Sequence, residues 1–508
     1  MKKSRRIMVL ALCLLLLAAA AACNSTSAPP DSGANPPGSS PGENDTPDTP
    51  ADDTPADSQP AGTDRYQIGG KVVAATNAGR STDLHTLWEN FNTYYPNIEL
   101  EIVEYETNTA EFLTAQATAG TMPDVVIDDA DQIYYYISQG WVYPLDSFVE
   151  NDADFGYVPE MLTESYTFGD RLYALPMQTH FNVVFVNMDL LNALNMDPPE
   201  FDWTPEDYRE FLKNGTTDEY SGTEILWGID EILAGAMNAE NDFYGFSLAE
   251  HKFNMSESWV DAVGLMREMR EYPGLEAWSL RNSGNDGEEN DYTRKFGSSN
   301  VSDNHMALKL GKVLSDPRGT WDANWLKTDC DFAWEFFPFP QGADALGHLP
   351  MHVDCSWVVS TAQAPEAAFE VARFFTYSLE GNLERMTMHE NGGTDAYTVD
   401  NDFYIPTTNH PDVRSRFENL PGVTDGLVYM FDNMKNSFRA DLSKLVPGWS
   451  QVNDEYLSPL GNEVRDGITE AASVAAELDN TATAAIQNYW TDFLDKLSAI
   501  QTEFDSAP

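Results

Sequence analysis

The chain has 508 residues, 82 of them acidic and 29 basic, for a formal net charge of −53 at pH 7. A balance this negative repels nucleic acid and anionic lipid, so a nucleic-acid partner is excluded; the surplus reads as a heavily solvated surface or, alternatively, as provision for a cationic ligand. A hydrophobic content of 42% with 12% aromatics is that of a globular protein, and the length suffices for two or three domains.

Residues 1–22 read as an export signal. Lys2, Lys3, Arg5 and Arg6 form a positive start, and residues 7–22 are almost wholly apolar, too short to cross a bilayer comfortably and ending in small residues. Ala20-Ala21-Ala22-Cys23 resembles a bacterial lipobox, in which the cysteine is acylated, although Ala20 stands where such boxes usually have Leu. An ordinary cleaved signal with a chance cysteine is the alternative. Residues 23–65 then form a linker of Ser, Thr, Pro, Asp and Gly, with the low-complexity run Asp48-Thr-Pro-Ala-Asp-Asp-Thr-Pro-Ala-Asp. Such a composition buries too little apolar surface to offset chain entropy, and it suits a tether that holds a globular body off the membrane.

From residue 66 the pattern alternates. Lys71-Val-Val-Ala-Ala is a strand; Leu84, Leu87, Trp88, Phe91 and Tyr95 repeat with helical spacing over 83–95; Ile98-Glu-Leu-Glu-Ile-Val alternates as a strand. Residues 110–119 form a second helix closed by Gly120, and Asp124-Val-Val-Ile is a third strand. Strand–helix–strand–helix–strand predicts a largely parallel α/β sheet, whose ligands sit beyond the carboxyl ends of the strands, in the loops at 76–81 and 128–132. No later segment reads as a transmembrane helix.

Tyr95-Pro-Asn-Ile-Glu-Leu, Ala119-Gly-Thr-Met-Pro-Asp-Val-Val and Gly140-Trp-Val-Tyr-Pro-Leu-Asp resemble the opening of the family 1 extracellular solute-binding proteins, which include the maltose-binding protein. The likeness continues through Phe168-Gly-Asp-Arg-Leu-Tyr-Ala-Leu-Pro, Val186-Asn-Met-Asp-Leu-Leu, Trp203-Thr-Pro-Glu-Asp, Gly319-Thr-Trp321, Phe337-Pro-Phe-Pro-Gln-Gly, and Ser356-Trp-Val-Val-Ser with Ala364-Pro-Glu-Ala-Ala. What the resemblance implies is a two-lobed α/β clamp of the periplasmic-binding-protein type II class with crossover hinge strands near 176–184, 349–354 and 404–408. One lobe takes 66–177 and 353–405, the other 178–352 and 406–508. Lobe closure buries a solute, and an ABC permease recognises the closed form. The implied protein is a monomeric, lipid-anchored receptor on the extracellular face of the membrane, without cofactor. The implied solute is a sugar or oligosaccharide, with an acidic sugar, a polyamine or a peptide as the alternative.

A sugar site needs aromatic planes for ring faces and hydrogen-bonding side chains for hydroxyls. Trp88 and Trp490 sit at helical spacing and Trp357 in a strand-like run, so all three read as core. Trp321, after the turn-like Pro317-Arg-Gly-Thr, and Trp449, after the loop-like Val446-Pro-Gly, are the stacking candidates, at positions where the family often places an aromatic. Asn77 and Arg80 occupy the exit of the first strand; Asp128, Asp129 and Asp131 follow the third, as ligand contacts or as loop charge and helix caps. Gln178, His180 and Asn182 alternate along an extended segment and so share one face, which His352 and Asp354 on the second crossover can meet.

A secreted enzyme is the rival reading. Gly-x-Ser-x-Gly and His-Glu-x-x-His are absent, although a glycosidase needs only two carboxylates. His348 and His352 have a helical metal-ligand spacing, but Pro350 between them breaks a helix, and no metal is expected. Cys330 and Cys355 could form one disulfide or remain two buried thiols.

Overall fold

The computed structural model describes residues 65–128, 132–282, 290–297, 305–391 and 405–506. The expected signal, Cys23 and the linker as far as residue 64 lie outside them, as do Asp129, Asp131 and Tyr404. Strand β1 (Gly70–Asn77) runs into helix α1 (Ala78–Tyr94), which buries Leu87, Trp88 and Phe91 at helical spacing, with Tyr95 just beyond. Strand β2 (Ile98–Tyr105) follows, then helix α2 (Thr109–Ala119). The Asn108 side chain accepts from the Glu111 amide at the start of α2, and Gly120 ends it at φ 72°, a left-handed conformation that glycine adopts without steric cost. Strand β3 (Val125–Asp128) then pairs parallel with β1, which is parallel to β2 on its other edge, as the alternation predicts. Helix α3 (Ile133–Ser138) comes next.

Two long strands then join the halves of the molecule. Strand β4 (Leu175–Asn187) pairs antiparallel with strands β5 (Ser315–Gly319) and β6 (Trp334–Pro338) along residues 182–187. Its earlier residues pair antiparallel with strand β7 (Pro350–Val358), which in turn lies against β3 through residues 355–358. The sheet order is β6-β4-β7-β3-β1-β2, with β5 also on β4 and the short strand β8 (Phe438–Arg439) parallel to the start of β7. A third strand-like contact joins Thr179 and Ile405, whose amides and carbonyls exchange hydrogen bonds of 3.2 and 2.9 Å. The segments expected at 176–184, 349–354 and 404–408 therefore meet side by side at the middle of one sheet.

Helix α4 (Pro365–Phe374) covers β1 and β3. After β8 come the single-turn helices α5 (Leu442–Leu445) and α6 (Trp449–Val452), and then α7 (Ala471–Ser506), 36 residues long. Helix α7 packs against α6 and the turns that follow it, within the segment 406–508. It reaches back to the first third of the chain, with Phe493 edge-on to Tyr134, Phe504 edge-on to Tyr143, and Asp505 paired with Arg171 at 2.7 Å. All of this belongs to one unit, Gly62–Pro508. Cys330 and Cys355 are both buried free thiols, which decides between the two readings of the cysteines. Among the described residues no helix is long and apolar enough to cross a membrane.

Candidate ligand-binding site

The register of the central strands sets the site. Asp128, the last residue of β3, lies opposite Cys355, and Cys355 opposite Pro176. Beyond a register shift at Asp354/Cys355, Gln178 pairs with Asp354 and His180 with His352 along β4 and β7. These side chains therefore stand just beyond the carboxyl ends of the parallel strands, where an open α/β sheet leaves its crevice.

Gln178, Asp354 and His180 form one hydrogen-bonded network, and His352 pairs separately with Asn182. Gln178 Nε2 donates to Asp354 Oδ2 (3.1 Å) and lies 3.1 Å from His180 Nε2. An amide nitrogen can only donate, so His180 Nε2 accepts, and its Nδ1 donates to Thr320 Oγ1 at 3.1 Å. On the partner strand His352 Nε2 donates to Asn182 Oδ1 at 2.9 Å. Burial, against the opposing charge of Asp441, pushes the His352 imidazole down to about 4, so it is neutral at pH 7. The alternation expected for Gln178, His180 and Asn182 is thus the alternation observed.

Trp321 caps this network. Its ring centroid lies 4.8 Å from that of His352 and 6.0 Å from that of His180, edge-on to both, and the residue remains 39% exposed. The indole is laid against Gly319: a Cβ there would come within 2.1 Å of it. Asp322 braces the same turn, accepting from the Gly319 amide (3.2 Å) and from Trp325 Nε1 (2.9 Å).

Lys444 carries no sequence signal, and Gly319 and Thr320 stand in the sequence only as part of the Gly319-Thr-Trp321 motif, not as site candidates. Lys444 on α5 reaches Asp354 Oδ1 at 2.8 Å and Asp441 Oδ2 at 3.6 Å. Asp441 also accepts from the Val353 amide (3.0 Å) and from buried Arg439 (2.8 and 3.0 Å). Burial works against charge on Asp441, but Arg439 and Lys444 outweigh it and hold the carboxyl below its ordinary range. No local pattern marks Lys444, because its partner lies 90 positions earlier in the chain.

The remaining candidates divide. Asn77 is at the carboxyl end of β1, half-buried, and donates to the Thr107 carbonyl (3.3 Å). Arg80 and Asp128 are placed by their backbone alone, in the first turn of α1 and at the end of β3. Asp131 lies outside the described residues. Trp449 is a correction: the loop-like Val446-Pro-Gly places its indole in the core, 6% exposed, against Phe246 and Phe253 at 5.4 and 5.7 Å. Filling an aromatic core leaves it no face for a ligand. His348 is no metal ligand either, since its two ring nitrogens face the carbonyls of Asn436 and Asn241 at 2.8 Å each.

The arrangement offers an aromatic face beside neutral donors and acceptors. Its two carboxylates are both occupied, Asp354 by Gln178 and Lys444, Asp441 by Arg439, Lys444 and an amide. That suits recognition of a polar solute rather than acid–base chemistry on it.

The fold is that of solved solute receptors. An ABC substrate-binding protein from Listeria monocytogenes in complex with cycloalternan matches with a TM-score of 0.60 and 15% identity over 82% of this chain and 98% of its own. A sugar transporter from Rhizobium etli, in an open conformation, matches at 0.60 and 16% over 82% and 99%. The sugar-binding protein MalE of the phytopathogen Xanthomonas citri matches at 0.60 and 13% over 86% and 100%. Residues 78–264 match the family model described as bacterial extracellular solute-binding protein, a family of binding proteins and not of enzymes. By that segment and by its two-lobed α/β fold, the chain is similar to the bacterial extracellular solute-binding proteins.

Proposed function

We propose that this chain is a lipid-anchored receptor on the outer face of the cell membrane that captures a sugar or oligosaccharide and hands it to an ABC permease. The observation that carries the sugar reading is Trp321: a 39% exposed indole, backed by Gly319 and ringed by His180 and His352, beside the Gln178–Asp354–Lys444 chain of hydrogen-bonding groups. A sugar presents an apolar ring face and a rim of hydroxyls, and this pairing answers both. The sugar-binding proteins of like fold support the same class. Cys23 is the proposed acylation site and residues 23–65 the tether. The lobes are 66–177 with 353–405 and 178–352 with 406–508, hinged at the three crossovers, with α7 reaching across them. The receptor works as a monomer, and contacts to both lobes shift it toward the closed form that the permease recognises.

The test is thermal unfolding of the chain cut before Gly62 against neutral oligosaccharides, acidic sugars, polyamines and peptides. A ligand bound only by the native state raises the midpoint by mass action. A neutral sugar series should raise it, and Trp321→Ala should weaken the response. A response to polyamines or peptides alone overturns the sugar reading while keeping the receptor.

A further inference from the structure

A second groove, with walls of its own, repeats the construction found around Trp321. It has a volume of 310 Å³ and lies between α3 on one side and α6 and α7 on the other, with Gln132, Tyr135, Pro447, Gly448, Gln451 and Tyr489 among its walls. A neighbouring groove of 330 Å³ shares Tyr489 and Asp492 and continues past Tyr456.

Tyr489 is built as Trp321 is. It is 40% exposed, and its ring is laid against a glycine: a Cβ on Gly448 would come within 2.2 Å of it. Gly448 also sits at φ 78°, so two independent constraints favour glycine beneath this ring. Asp492 and Lys496 follow Tyr489 at i+3 and i+7 on α7 and lie on the same helix face. They and Gln451 are exposed, so the rim carries donors and acceptors of both signs. An aromatic face with a wet polar rim is poor for an apolar ligand and suited to a sugar.

The groove also lies within reach of the cluster. Gln132 is four residues beyond Asp128 and Pro447 three beyond Lys444, so chain geometry alone keeps its two walls within about 14 and 11 Å of those residues. Helix α5, which carries Lys444, packs directly against α3.

We propose that this groove is a distal carbohydrate subsite, in which Tyr489 stacks an outer residue of an oligosaccharide whose inner residue stacks on Trp321. The proposal rests on the sugar reading above and narrows it, because a receptor with two such platforms selects chain length. Disaccharides reach the cluster alone, and longer chains engage both.

The experiment is calorimetric titration of the chain cut before Gly62, which keeps every described contact, with malto-, cello- and xylo-oligosaccharides from disaccharide to hexasaccharide. The parent should bind one series with affinity that rises with length. Tyr489→Ala should remove that rise, weakening the hexasaccharide about tenfold and leaving the disaccharide unchanged, whereas Trp321→Ala should weaken every length. Gln451→Ala and Asp492→Asn give the same reading, smaller, if Tyr489→Ala folds poorly. Length dependence that survives all three variants, with Trp321→Ala still weakening every length, overturns the subsite and leaves the receptor standing. A parent that binds none of the three series overturns both.

Discussion

A single methyl group at Gly319 should act as if Trp321 had been removed. Gly319 has φ −115° and ψ 156°, ordinary extended backbone, so alanine costs nothing in conformation there. Its Cβ, however, would sit 2.1 Å from the Trp321 indole, far inside contact distance, and the ring must swing off its platform. A tryptophan offers up to about 250 Å². With 39% of Trp321 exposed, roughly 100 Å² is left for a sugar face to cover. At ~25 cal/mol per Å² that is worth at most about 2.4 kcal/mol, or ~60-fold in Kd, and about eightfold if half is covered. Gly319→Ala and Trp321→Ala should therefore each weaken sugar binding between eightfold and 60-fold by about the same amount, measured by calorimetry. The double variant should be no weaker than either single one, because both act through one ring. Gly319→Ala that binds normally while Trp321→Ala does not would refute the claim that the glycine fixes the ring; full losses that add would show two separate effects.

Three further outcomes follow from the packing. Arg373→Met should lower stability by about 3–5 kcal/mol in urea unfolding, because it strips Asp152, whose side chain is 1% exposed, of its Arg373 partner at 2.6 Å. Asp154 and Glu380 lose the same guanidinium, and Asp152 keeps the Tyr377 hydroxyl at 2.8 Å and the more distant Arg65 at 3.4 Å, which places the loss toward the lower end of that range. His352 is held neutral by the fold down to about 4 while the unfolded chain protonates near 6.5, so below 6.5 the unfolded state binds more protons. The His352 contribution to stability should therefore fall as pH drops from about 6.5 to about 4, and over that window the stability difference between the parent and His352→Gln should shift against the parent. Glu224 and Glu231, pushed up to about 7 by burial, act in the opposite sense but remain in both proteins. His251, also pushed down by burial, remains in both and cancels in that difference. Cys330 and Cys355 should resist alkylation in the native state and both react once unfolded without reductant; a single disulfide-linked species by mass would contradict the free thiols.

The N-terminal alternation was legible because each element carries its own period: Leu87, Trp88 and Phe91 on one helical face, and Asp124-Val-Val-Ile as a short apolar run beside Gly120. The face shared by Gln178, His180 and Asn182 was legible for the same reason, since an extended chain fixes which side chains stand together. What pairs with that face was not. Lys444 reaches Asp354 over 90 positions and Thr320 reaches His180 over 140, distances at which no spacing rule operates. Trp321 and Trp449 show the limit most directly. Both come within two residues after a glycine and both read as loop aromatics, yet one keeps 39% of its surface in water and the other 6%. The difference lies in Phe246 and Phe253, some 200 residues upstream of Trp449, which close a core over it. The platform of Tyr489 escaped notice because 489, 492 and 496 on a long amphipathic helix look like any solvated stripe until Gly448 is brought beneath the ring.

The position of the cluster bears on how capture is coupled to closure. Its polar members sit on the proposed crossovers: Gln178 and His180 on β4, His352 and Asp354 on β7, with Thr179 between them holding Ile405 on the third. A solute that bonded only there would touch the hinge and not the jaws, and would bind open and closed forms alike, shifting nothing. Trp321 stands off the end of β5, on the far side of Asn182, whereas α3 and the groove wall at Gln132 follow β3 on the near side. A ligand that stacks on Trp321 and extends toward Gln132 gains contacts on both sides of the hinge at once, and only such a ligand has the differential affinity that closure requires. In the proposed reading the two aromatic platforms therefore do more than set chain length. They make the longer sugar the better closing ligand, so small-angle scattering should report compaction with a hexasaccharide and less of it with a disaccharide. Equal compaction by both would show that contacts at Trp321 and the crossovers suffice to close the lobes.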